Sequence, residues 1–186
     1  MCSTILSVLL LLQADSSNSH IHFQIAESAM EQVGITLYYS SEYRKLGYPN
    51  GDFPMDRGVC TDVVIRAFRK IGVDLQKEVH EDMVQHFEEY PKIWKLKSPD
   101  SNIDHRRVPN LMKYFSRKGK SISLDDSYLP GDIVAWLLRS GNFHIGIVST
   151  EIIPGKKHYF ITHNIGDGAK KEDVLYAYKI IGHYRW

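Results

Sequence analysis

Cysteine is scarce in this chain, with two in 186 residues, at positions 2 and 60. The first lies in a segment with the pattern of a secretory signal, because an apolar run at residues 5–12 ends near the small residue Ala14. We therefore predict a signal peptide at residues 1–14, a polar linker at residues 15–22, and a periplasmic or secreted protein. Removal of the signal leaves Cys60 as the sole cysteine, which excludes an intramolecular disulfide.

An excess of charge of one sign is also lacking, since 23 Lys and Arg face 22 Asp and Glu for a formal net charge of +1. No apolar run in the mature chain approaches the roughly 20 residues that cross a bilayer. The nine histidines include no HExxH spacing and no cysteine pair joins them. We therefore predict one monomeric domain at residues 23–186, with no metal, no cofactor, no nucleic-acid partner and no integral membrane segment.

Apolar spacing predicts helices in the first two thirds of the chain. The helical periods cover residues 23–35, 59–71, 75–90 and 109–119, and each ends near a glycine or proline. The last third changes to short β-rich segments separated by turns, DIVAWLL, HIGIVST, KHYFITHN and LYAYKIIGHYRW. This order predicts an α+β fold in which N-terminal helices pack on a C-terminal antiparallel sheet.

Cys60 falls in the first turn of the predicted helix at residues 59–71. The unsatisfied N–H groups and the dipole of a helix N-terminus favour a thiolate and can hold an oxyanion. We therefore predict a lowered thiol pKa and a nucleophilic role. The alternative is a small buried apolar residue, because free cysteine is among the most buried residue types.

Three polar residues on the predicted strands are candidate partners of Cys60. His144 opens the segment HIGIV, where an imidazole can act as the base that a cysteine nucleophile needs. A third polar group usually orients such a base, and strand alternation allows either His163 or Asn164, but not both, to face His144. We favour His163 and keep Asn164 as the alternative. The structural alternative is that His144 and the polar residues at 163 and 164 are hydrogen-bonded strand ends beside turns, without a catalytic role.

A charged cluster precedes the last predicted helix. Asp104, His105, Arg106 and Arg107 are consecutive, and two guanidinium groups can bind a carboxylate through paired hydrogen bonds. We predict a substrate-binding loop here, with a solvated surface loop as the alternative.

Several segments in fixed order carry a family resemblance. GVCTDVVIRAF, LPGDIVAW, FHIGIV and a polar residue on the next strand resemble the NlpC-type cell-wall peptidases of the papain-like cysteine peptidase superfamily. Together with DLQKEVHEDM, SPDSNIDHRRVPNL, HNIG and GHYR, they make residues 25–186 similar to an uncharacterised family of short exported bacterial proteins. Two features differ from the NlpC pattern: Val-Cys-Thr replaces the usual Asp-Cys-Ser, and the gap after the histidine is longer.

The resemblance implies a papain-like fold with Cys60 as nucleophile, His144 as base and His163 as the third residue. It also implies an amide substrate, most often a peptidoglycan stem peptide. The sequence therefore predicts a secreted cysteine hydrolase that works through a thioester. A second hypothesis is a non-catalytic module on the same fold that binds a cell-wall or protein ligand through residues 104–107, and the cysteine with both histidines favours the enzyme.

Overall fold

The computed structural model describes residues 19–186. The predicted signal peptide and residues 15–18 of the predicted linker lie outside this range. Residues 19–22, predicted as linker, are helical instead, and His22 Nε2 lies 2.7 Å from the carbonyl oxygen of Trp186. This contact ties the start of the described chain to its last residue, so the folded domain begins earlier than the apolar spacing indicates.

Helices precede the main sheet along the described chain, which confirms the predicted mixed α+β class. The helices are α1 (residues 19–30), α2 (Cys60–Lys70), α3 (Leu75–His86) and α4 (Val108–Arg117), with 3-10 helices at Phe87–Glu89 and Asp104–Arg106. The strands are β1 (Tyr38–Tyr39), β2 (Arg57–Gly58), β3 (Ile133–Leu137), β4 (Phe143–Ile152), β5 (Tyr159–Asn164), β6 (Ala169–Glu172) and β7 (Lys179–Tyr184).

Five strands form one antiparallel sheet in the order β6-β5-β4-β3-β7, while β1 and β2 pair in parallel. The sequence segments predicted four of the five strands and missed β6. Its sequence, AKKE, has neither β-branched nor aromatic residues, and it forms a strand because it pairs with β5. Lysines are common on such edge strands because they discourage pairing with other chains.

The core lies between the helices and one face of the sheet. Helix α2 packs against β4 and β5 and buries Val64 and Phe68 completely, and each such side chain contributes about 1.5–3 kcal/mol. A smaller apolar cluster around Trp136 covers the other face. Both faces are therefore packed, which holds the ends of β4 and β5 firmly beside α2. No helix in residues 19–186 is both long and apolar enough to span a membrane.

Candidate active site

Cys60 is the first residue of α2, in the first turn as predicted, and its side chain is buried with 5% exposure. Asp62 reaches back to accept a 2.7 Å hydrogen bond from the backbone N–H of Val59, which satisfies a donor at the helix start. A Cβ at Gly58 would lie 2.9 Å from Asp62 Oδ2, so only glycine leaves room for this carboxylate. The position of the sulfur is thus set by local backbone geometry.

Arg106 secures the same helix start from outside. Its Nε lies 3.0 Å from Asp62 Oδ1 and its Nη2 lies 3.0 Å from Asp62 Oδ2, and both side chains are buried. Nη2 also donates to the carbonyl oxygen of Ser40, and the guanidinium lies 3.8 Å from the ring centroid of Phe53. Breaking a buried pair of this kind costs about 3–5 kcal/mol. Arg106 therefore holds the segment around residue 40 against α2.

A cleft of about 930 Å³ opens at this point, and Cys60 and His144 both line it. Much of its wall is apolar, with Trp94 and Phe143 among the lining side chains. Among residues 19–186, Arg106 and Arg107 are the only lysine, arginine or carboxylate side chains that line the cleft. The cleft therefore combines a thiol and an imidazole with an apolar wall and positive charge.

His144 lies near the start of β4, directly opposite Trp136 of β3. The two rings stack with their centroids 5.7 Å apart. The indole N–H of Trp136 donates to the carbonyl oxygen of Leu175 at 2.9 Å, which fixes the indole behind the imidazole. The plane of the His144 ring is thus supported by a side chain that is itself immobilised.

The structure brings His163, and not Asn164, against His144. The His163 Nδ1 atom lies 2.9 Å from His144 Nε2, and both rings are buried. Asn164 instead donates from Nδ2 to the carbonyl oxygen of Gly58 at 3.0 Å, bracing the chain just before Cys60. A Cβ at Gly146, opposite His163 in the sheet, would lie 3.0 Å from the His163 Cβ. Glycine at that position gives the imidazole room to approach His144.

Burial dominates the acid–base properties of Cys60 and His144. It raises the pKa of the Cys60 thiol to about 12, although the backbone N–H groups of Ile145 and Thr61 oppose this rise. It lowers the pKa of His144 to about 3, and charge on His163 adds to the effect. The predicted lowering of the thiol pKa is therefore wrong for the resting site, because desolvation outweighs the helix N-terminus. The resting pair is a neutral thiol and a neutral imidazole.

The cluster at residues 104–107 is mostly structural, which corrects the predicted carboxylate clamp. Asp104 and His105 are buried in a 3-10 helix, where burial raises the pKa of Asp104 to about 6 and lowers that of His105 to about 3. Arg106 is engaged by Asp62. Arg107 also lines the cleft and is held more loosely, with its Nη1 3.9 Å from Asp104 Oδ1 and its guanidinium 4.2 Å from the ring centroid of Trp94. Of the four residues, it is the one best placed for a ligand in the cleft.

Three further residues at the site escaped the sequence analysis. Asp62 lies in the phrase GVCTD, whose acidic residue is typical of a helix first turn. Tyr39 lines the cleft, and burial raises its pKa to about 12, with the Asp62 carboxylate adding to the rise. Glu172 lies on β6, with its Oε2 3.1 Å from His163 Nε2. No local pattern singles out the last two, because each reaches the site through a distant strand pairing.

Comparison with known proteins identifies the family. A family model described as "Domain of unknown function (DUF1287)" matches residues 26–186. The chain belongs to the DUF1287 family. It is 52% identical over 171 residues to "Uncharacterized protein YijF" of Escherichia coli (strain K12). The aligned residues make up 90% of this chain and 83% of that protein. The match agrees with the bacterial family resemblance expected for residues 25–186.

One solved structure also superposes on this DUF1287 protein. The structure, titled "Structure of NlpC1 from Trichomonas vaginalis", superposes with a TM-score of 0.48 at 15% sequence identity. The match covers 89% of the DUF1287 chain and 44% of the NlpC1 chain. The DUF1287 chain therefore spans less than half the length of that protein.

Proposed function

We propose that this DUF1287 protein is a periplasmic or secreted cysteine hydrolase of papain-like fold that cleaves amide bonds in peptidoglycan stem peptides. One observation carries the proposal: Cys60 at a helix N-terminus and His144, hydrogen-bonded to His163, line the same cleft. A thiol, an imidazole and a third group that orients the imidazole are the components of nucleophilic cysteine catalysis.

The proposed reaction begins with proton transfer from Cys60 to His144. Because Nε2 of His144 is occupied by His163, Nδ1 is the nitrogen that receives the proton. The sulfur attacks the amide carbonyl carbon, and the N–H groups at the start of α2 stabilise the oxyanion. His144 then returns the proton to the amine as the C–N bond breaks and a thioester forms. Water hydrolyses the thioester and regenerates the thiol.

The neutral resting pair is compatible with this reaction. Burial penalises a lone thiolate and a lone imidazolium, but proton transfer creates two opposite charges that attract each other within one cleft. A substrate that fills the apolar cleft also removes water from around them, which strengthens their attraction. The ion pair is therefore expected to form during turnover rather than beforehand.

Tyr39 is proposed as an additional oxyanion donor. Its side chain lines the same cleft as Cys60, and losing one such donor costs about 100-fold in kcat. Tyr39→Phe is therefore expected to lower kcat to this extent with little change in KM. Tyr43→Phe is the matched control, since Tyr43 also lines the cleft but donates to Asp100. Equal kcat values for Tyr39→Phe and wild type would remove Tyr39 from the mechanism.

Arg107 is proposed to bind a carboxylate of the substrate. Stem peptides carry carboxylates, and a charge-assisted hydrogen bond lost from the complex raises KM by about 10-fold. Arg107→Gln should show this increase with kcat nearly unchanged, and should show none with a substrate whose carboxylates are amidated. Arg57→Gln, which removes an exposed arginine paired with Asp56, is the control. A similar KM increase with amidated and free substrates would contradict carboxylate recognition.

Defined muropeptides test the function itself. The purified protein is incubated with each, and products are identified by mass spectrometry. We expect one new amine and one new carboxylate at a single amide bond, with no product from the Cys60→Ala variant. Binding of muropeptides by both proteins without cleavage would support the non-catalytic module instead.

A further inference from the structure

We propose that Glu172, on the edge strand β6, is a positioning residue that sets the proton positions on both histidines of the site. The Glu172 Oε2 atom lies 3.1 Å from His163 Nε2, and His163 Nδ1 lies 2.9 Å from His144 Nε2. The three side chains thus form a continuous row that ends at His144, which lines the same cleft as Cys60. The effect on hydrolysis rests on the proposed function, whereas the effect on the histidines does not.

The proton positions follow from the chemistry of each contact. A carboxylate only accepts hydrogen bonds, and a neutral imidazole has one N–H and one lone pair. The carboxylate therefore favours hydrogen on His163 Nε2, which leaves the lone pair on Nδ1. That lone pair accepts from His144, so His144 carries its hydrogen on Nε2. The Nδ1 atom of His144 is left with a lone pair, as a base for the Cys60 proton requires.

Without the carboxylate, the reverse arrangement becomes competitive. His163 can then carry hydrogen on Nδ1 and donate it to His144 Nε2, which leaves hydrogen on His144 Nδ1. An imidazole in this state cannot take a proton from the thiol. Both arrangements keep the 2.9 Å contact between the rings, so the histidine pair alone does not choose between them.

Glu172 is better explained by this role than by a contribution to stability. Its side chain is 41% exposed, and an exposed ion pair contributes little to the free energy of unfolding. The carboxylate also lies off the direction of the ring N–H, so the hydrogen bond that it accepts is bent and weak. Register places Lys170 directly opposite His163 and Glu172 diagonally from it on the same face, and Lys170 pairs with Asp167. The contact therefore biases the proton positions without anchoring the strand.

Nitrogen-15 NMR of the labelled histidines tests the proposal directly, because long-range couplings distinguish the two neutral forms. In the wild-type protein at pH 7 we expect both His144 and His163 to carry hydrogen on Nε2. Glu172→Gln should largely keep this pattern, since its amide oxygen accepts, whereas Glu172→Ala should give a mixture and Glu172→Lys should favour the reverse. A wild-type His163 with hydrogen on Nδ1, or an unchanged pattern in Glu172→Ala, would overturn the proposal.

Kinetics provide the second measurement. Because Glu172 acts on the base only through His163, Glu172→Ala should lower kcat by about 10- to 100-fold at constant KM, less than loss of the base itself, with Glu172→Gln in between. The control is Glu151→Gln, since Glu151 on β4 is 49% exposed and pairs with Lys171, the neighbour of Glu172 on β6. Tautomer changes in a protein that cleaves no muropeptide would reject the proposed function alone. Efficient cleavage by a Glu172→Ala protein with wild-type tautomers would reject the Glu172 proposal alone.

Discussion

Replacing Cys60 with alanine is expected to abolish amide hydrolysis, with kcat falling by about 10⁴-fold or more while the protein stays folded. The sulfur is the atom that forms the proposed thioester, and no other cysteine lies within residues 19–186. Alanine is well tolerated in a first helical turn, and losing one buried sulfur costs about 1 kcal/mol in the free energy of unfolding. Progress curves and the thermal midpoint measure the two effects separately.

Cys60→Ser sharpens this test because it keeps a hydroxyl at the same place. A serine hydroxyl is far less acidic than a thiol, so we expect it to be nearly as inactive as alanine in a site whose burial already opposes negative charge. Near wild-type activity in either variant would show that the reaction does not use this residue. If one of the two variants shows no thermal unfolding transition, its inactivity reflects loss of folding. The other variant then provides the test.

Replacing His144 with glutamine is expected to lower kcat by about 10³-fold, because it removes the general base. Glutamine keeps an amide N–H that can still donate to His163 Nδ1, and it is close to histidine in size. Packing against Trp136 and the contact with His163 are therefore disturbed less than in an alanine variant. His86→Gln, on α3 and outside the cleft lining, is the control.

The pH profile gives this prediction a second measurement. Burial lowers the pKa of His144 to about 3, so the imidazole stays neutral, and able to accept a proton, well below its usual range. We therefore expect wild-type kcat at saturating substrate to hold from pH 7 down to about pH 5 rather than to fall near 6.5. A midpoint near 6.5 would contradict this prediction, since the imidazole would then titrate at its ordinary value in the complex.

The parts of the fold that could be predicted are those encoded by local spacing. Helix α2 shows apolar periodicity ending at Gly72, and its structure matches closely because a buried face and a glycine with positive φ act over a few residues. Strand alternation likewise separated His163 from Asn164, because β5 is regular up to its last residue. The catalytic roles of these residues stay predictions.

The remaining features depend on contacts between distant residues. Asp62 and Arg106 are 44 positions apart, and no local sequence pattern around either residue predicts that they pair. The sequence places Cys60 at a helix start but not at a particular depth, and depth decides its pKa. Strand β6 forms because its backbone pairs with β5. The position of Glu172 beside His163 therefore cannot be predicted from the segment AKKE alone.

The depth of Cys60 also bears on chemical damage. Peroxide oxidises cysteine to sulfenic acid through the thiolate, at a rate that follows exposure and ionisation. Cys60 is 5% exposed and its pKa is raised to about 12, so its sulfur is neither accessible to peroxide nor ionised to a useful extent. If its negative charge arises only when an amide substrate occupies the cleft, the nucleophile is vulnerable during turnover and inert between turnovers. Burial of the sulfur would then give this protein a long working lifetime among oxidants.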